Sequence, residues 1–141
     1  MAGLQSVDRL LRASTVEAFH ETISYCFNKV LQEMLGGPVR DELFNLLERS
    51  SIHRTDVPVR FNDVIRLLTR AFGASARILI YRTVVELYQE YSQRPDFSYE
   101  DELNYQIELL KTKVLADLIR PRHLFTTSID SYFVPGPLVH E

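Results

Sequence analysis

The chain has 141 residues, 45% of them hydrophobic and 25% charged, and a formal net charge of -3. That is ordinary globular composition for one domain with a real core, and it gives no overall push toward nucleic acid. Cys26 is the single cysteine, which excludes an intramolecular disulfide and a cysteine-based zinc site.

No apolar run approaches the ~20 residues of a membrane span, and the first residues lack a signal-peptide apolar region. The expectation is a cytoplasmic protein with no membrane association. The pattern predicts an all-α, compact bundle of about five helices. Residues 1-121 form a single helical domain, and 122-141 form an irregular C-terminal tail.

In chain order, Val7 to Arg12 carries Leu4, Val7, Leu10 and Leu11 at helical spacing, enough for a turn or two. Ser14 then reads as an N-cap, with Glu17 three residues on completing a capping box. A stripe of Phe19, Ile23, Phe27, Val30, Leu31 and Met34 predicts a long amphipathic helix. Gly36-Gly37 stops it, and Pro38 suits the first turn of a second, short helix ending near Ser50. That helix presents Val39, Leu43, Leu46 and Leu47 to the core.

After a loop broken by Pro58, Phe61, Val64, Ile65, Leu68 and Phe72 mark a third helix that ends at Gly73. Asn62 or Asp63 is placed to assist its start. Ser75 reads as the cap of a fourth helix containing Ile78, Leu79, Ile80, Val84, Val85, Leu87, Tyr88 and Tyr91. Its apolar residues run almost all the way round, the pattern of a helix at the centre of a bundle or at an oligomer interface.

Ser98 reads as the cap of a fifth helix, with Glu100, Asp101 and Glu102 favourable in its first turn. Leu103, Ile107, Leu110 and Val114 recur along it as a narrow, coiled-coil-like seam about two heptads long, with Leu118 one place off register. Pro121 closes the element. Beyond it, Leu124, Phe125, Ile129, Tyr132, Phe133 and Val134 make the tail too apolar for a solvated segment, so it is expected to pack on the bundle or on a partner.

Charge is unevenly distributed. From Arg49 to Arg82 there are seven arginines against Asp56 and Asp63, whereas Glu86 to Glu108 holds seven acids against Arg94. The simplest expectation is that the two blocks pair within the fold or across a dimer.

Chemical motifs are sparse. Glu17 and His20 stand in an E-x-x-H arrangement that suits a di-metal centre only with a second copy, which the sequence lacks. Cys26 lies in the apolar stripe of the first long helix and reads as a small core residue. No phosphate loop and no nucleophile elbow is present. No catalytic residue, metal or cofactor is therefore assigned, and the expectation is a protein that is not an enzyme.

Two functional readings remain. In one, residues 61-91 are the central hairpin of a non-catalytic interaction module. The module is a homodimer that also binds a protein partner, and its contact residues are the seam Leu103, Ile107, Leu110 and Val114 with the tail residues Phe125, Tyr132 and Phe133. In the other, residues 61-91 are a helix-turn-helix DNA reader, with Arg66, Arg70, Arg77 and Arg82 placed to neutralise phosphates. The reading positions would then include Arg77, Ile80 and Tyr81, a poor set for base edges. Glu86 and Glu90 would also repel the backbone. The first reading is preferred.

The order of helices, together with Phe72-Gly73-Ala74-Ser75-Ala76, Ile78-Leu79-Ile80 and Leu87-Tyr88, resembles a small helical domain of archaeal regulatory proteins, the fifth type of Nitrosopumilus output domain. The likeness covers roughly residues 25-91. It implies an output or interaction module with no catalytic residue set. The capped helix at Ser98 and the aromatic tail are additions to that pattern.

Overall fold

The computed structural model describes residues 2-98 and 100-124, with side chains placed from residue 6 onward. The fold is all-α, and no strand occurs among the described residues. Five main helices follow one another: α1 (Ala2–Leu35), α2 (Gly37–Arg49), α3 (Phe61–Phe72), α4 (Ala74–Glu90) and α5 (Leu103–Asp117). A single 3-10 turn, Arg54–Asp56, lies between α2 and α3.

The long axis is α1. The expected break at Ser14 does not occur: the short N-terminal segment and the long helix are one 34-residue element. Between Ser6 and Leu35 the sequence holds no glycine or proline, so nothing interrupts the hydrogen-bond ladder. A capping side chain acts only where the backbone is already non-helical, and at Ser14 it is not. Gly36, at φ 85°, ends α1, and Pro38 sits in the first turn of α2 as expected.

Around α1 the other helices close a core. α4 packs against α1, α3 and α5, while α1 touches α2, α4 and α5. From α1 come Phe19, Ile23, Cys26, Phe27, Val30 and Leu31, all buried. α4 contributes Ala76, Leu79, Ile80, Thr83, Val84, Leu87 and Tyr88. Phe27 is the aromatic hub, edge-on to Phe44 at 5.9 Å and to Phe61 at 5.4 Å between ring centroids. The Tyr88 hydroxyl donates to the Gln106 carbonyl at 2.7 Å and so ties α4 to α5.

Several boundaries and faces differ from the sequence pattern. α4 is capped by Gly73, at φ 63° and ψ -136°, and Ser75 already lies inside the helix. α5 starts at Leu103 behind Glu102, whose carboxylate accepts from the Asn104 and Tyr105 amides. Ser98 instead closes its own turn with Asp101, which accepts from the Ser98 amide at 2.9 Å. α5 ends at Asp117 rather than at Pro121, because Leu118 adopts the left-handed conformation. Residues 122-124 are helical instead of irregular. Val39, Phe72, Ile78 and Met34, all expected on core faces, are exposed.

Candidate interaction surface

The arginines of the DNA-reading hypothesis lie on α3 and α4. Arg66 pairs with Asp63 in the first turn of α3, and Arg60 holds the other oxygen of the same carboxylate at 3.0 Å. The Arg60 bond, helped by the charge of Arg66, keeps the Asp63 carboxyl below its ordinary pKa. Arg70 and Arg82 are exposed, on α3 and α4 respectively. Arg77 donates to the Asp101 carbonyl.

Ile80, a reading position in that hypothesis, is 1% exposed and belongs to the core. Tyr81 is half-buried, edge-on to Phe97 at 5.9 Å. The helix that would enter a groove is therefore the central helix of the bundle.

Within one chain the two charge blocks also do not pair as blocks. Arg60 and Arg66 pair with Asp63, and Arg40 with Asp41, all near neighbours in sequence, while Arg54 of the 3-10 turn reaches back to Asp41 of α2. Short side-chain reach along a helix or loop favours such neighbours over a distant carboxylate. Arg77 reaches into the acidic segment, where it donates to the Asp101 carbonyl. Glu86 is held instead by Lys29 of α1 at 3.2 Å, a bond that raises the lysine pKa.

The proposed seam is not a surface. Leu103, Ile107, Leu110 and Val114 are 0-4% exposed and fill the space between α5, α1 and α4. The 4-3-4 spacing is that of any helix packed at a shallow angle, whether its partner belongs to the same chain or another. Leu118 is left outside, as the α5 C-cap. The tail residues Phe125, Tyr132 and Phe133 lie outside the described residues.

What the fold does leave open is an apolar groove of about 380 Å³ where the end of α1, α2 and the α3–α4 turn meet. Its walls are Leu35, Val39, Leu43, Leu46, Phe72 and Leu79, with Glu42, Arg49 and Ser75 at the margins. Leu43 and Leu47 form the edge of α2 that is buried, while Val39 and Leu46 form the adjacent edge and border the groove. Val39 is 51% and Phe72 48% exposed, a high cost in apolar area left wet.

The helical period alone puts Val39, Leu46 and Phe72 on core faces. Their apolar arc is wider than one neighbouring helix covers, and that width is the signal that one edge stays uncovered.

A second, polar recess lies beside α1 and α4. Glu90 accepts from both the backbone amide and Nδ1 of His123, each at 2.8 Å, and Tyr25 stacks on the His123 ring at 4.1 Å. Both ends of that bond are largely buried, so it clasps residues 121-124 to the bundle.

Neither chemical motif gathers a reactive set. His20 lies among Lys111 and Glu108 of α5, and burial, then the Lys111 charge, lowers its pKa against an opposing pull from Glu108. No cluster of three or more His, Cys, Asp or Glu able to hold a metal occurs among the described residues. Cys26 is buried, and burial, reinforced by Glu90 and Glu86, pushes its thiol far above the usual range. A thiol held protonated is a poor nucleophile.

No helix among the described residues is long and apolar enough to cross a membrane. No family model, curated protein or solved structure matches the chain.

Proposed function

We propose that this protein is a non-catalytic helical interaction module of the regulatory, output type, that it works in the cytoplasm, and that it self-associates as a homodimer. The observation that carries this reading is the groove walled by Val39, Leu46, Phe72 and Leu79. An apolar concavity with few polar groups offers a surface for burial, and no arrangement of acids, bases or donors for chemistry. The resemblance to an output domain points the same way.

The contact surface moves accordingly from the α5 seam, which the bundle itself consumes, to the groove. The helix-turn-helix alternative draws less support, because Ile80 is packed in the core and Arg66 is engaged with Asp63.

Sedimentation of the full chain tests the reading. A species of about twice the chain mass is expected at micromolar concentration. Phe72→Asp should raise the dissociation constant at least roughly tenfold while leaving the helical circular dichroism intact. A wild-type chain that stays monomeric through high micromolar concentration would overturn the homodimer.

A further inference from the structure

The first turns of α1 carry an apolar stripe that the bundle does not use. Val7, Leu10 and Leu11 are 54%, 69% and 49% exposed. At 3.6 residues per turn, this stripe points roughly 140° away from the α1 face that carries Phe19, Ile23, Cys26 and Val30. The chain's own core therefore cannot cover it. Asp8, Arg9 and Arg12 occupy the opposite side of the same segment, so residues 6-13 form an amphipathic helical arm.

The molecule thus presents one convex apolar surface, the arm, and one concave one, the groove. They cannot meet within one chain. Leu35 lines the groove, and from Leu11 to Leu35 there is about 36 Å of unbroken helix at ~1.5 Å per residue. Two copies remove the mismatch. With their α1 helices antiparallel about a two-fold axis, the arm of each lies at the groove end of the other.

Such an exchange creates two identical junctions. An arm-to-arm contact would create one, built on only three described apolar side chains per copy, and would leave both grooves wet.

Resting on the self-association reading above, we propose that the occupant of the groove is the N-terminal arm of a second copy, with Val7, Leu10 and Leu11 seated against Val39, Leu46 and Phe72. The polar side of the arm, with Asp8, Arg9 and Arg12, stays in water. This is the helix-in-groove mode of recognition, turned on the chain itself.

Two measurements on the full chain test the exchange. Leu10→Asp should abolish the dimer in sedimentation without lowering the thermal midpoint of the monomer, since Leu10 supports no core contact. A wild-type dimer that persists unchanged in Leu10→Asp overturns the arm as occupant, while leaving self-association standing. A monomeric wild type overturns both.

The second measurement mixes Leu10→Cys and Phe72→Cys chains under mild oxidation, Cys26 being buried and out of reach. Disulfides need Cα atoms about 4.4–6.8 Å apart, so arm-to-groove docking predicts the mixed disulfide in excess over either homodisulfide. Predominance of the Leu10→Cys homodisulfide shows arms pairing with arms and overturns the proposal.

Discussion

Gly73 shows how much one residue decides. Its φ of 63° and ψ of -136° lie in a region that is essentially glycine's alone. No heavy atom stands within 4 Å of where a Cβ would project, so any cost of a side chain is conformational rather than a matter of space. Gly73→Ala should therefore lose about 1–3 kcal/mol of stability in urea unfolding, with the native fold retained. A loss below a few tenths would mean that the turn relaxes. The glycine was legible as a helix stop. Its second role, as the cap of α4, was not, because Ser75 offers a side chain that caps well and the backbone had already turned two residues earlier. Cys26 was legible throughout: a lone cysteine in an apolar stripe is a core residue, and its buried, proton-holding thiol follows from that position.

At the scale of elements, the apolar period located all five helices, while their ends were set by contacts the period does not contain. α4, ambiguous by propensity because of Ile78, Ile80, Val84 and Val85, is helical because three neighbours cover it. α5 illustrates the converse. Its seam was legible as a packed stripe, yet one stripe looks the same whether it faces another chain or its own, and here α1 and α4 take it. The two roles give opposite results on mutation. Ile107→Ala, at a site 4% exposed, should cost about 2–5 kcal/mol of monomer stability and leave the sedimenting mass at native temperature unchanged. A change in mass with little loss of stability would return Ile107 to an interface. The groove is hard to read from sequence for a related reason. Val39 and Phe72 satisfy the helical period as well as any core residue; the width of the apolar arc hints that an edge stays open, and the placement of three elements around them shows where.

Taken as a whole molecule, the bundle is organised along α1, and one source of acid sensitivity lies where distant segments converge on that helix. His20 of α1 shares a recess with Pro58, Val59 and Phe61 before and at the start of α3, and with Ile107, Glu108 and Lys111 of α5. Burial is the main reason its pKa lies below the ordinary 6.5, Lys111 adds repulsion, and Glu108 opposes both. The unfolded chain therefore takes up a proton at this site at a higher pH than the folded one does. The sign follows from linkage: stability is fully present above about pH 6.5 and falls as the pH drops through that value toward the lower folded pKa. His20→Gln removes the titrating group while keeping a polar side chain. It should flatten that acid limb in a plot of thermal midpoint against pH, and it should leave the plot unchanged in shape above neutrality. Replacing Lys111 with Met should raise the folded pKa of His20 toward its unfolded value and so shorten and flatten the limb, whereas Glu108→Gln should lower it further and deepen the limb toward lower pH. If His20→Gln keeps the wild-type slope just below about pH 6.5, the proton is being taken up elsewhere and the convergence of α1, α3 and α5 carries no acid sensitivity.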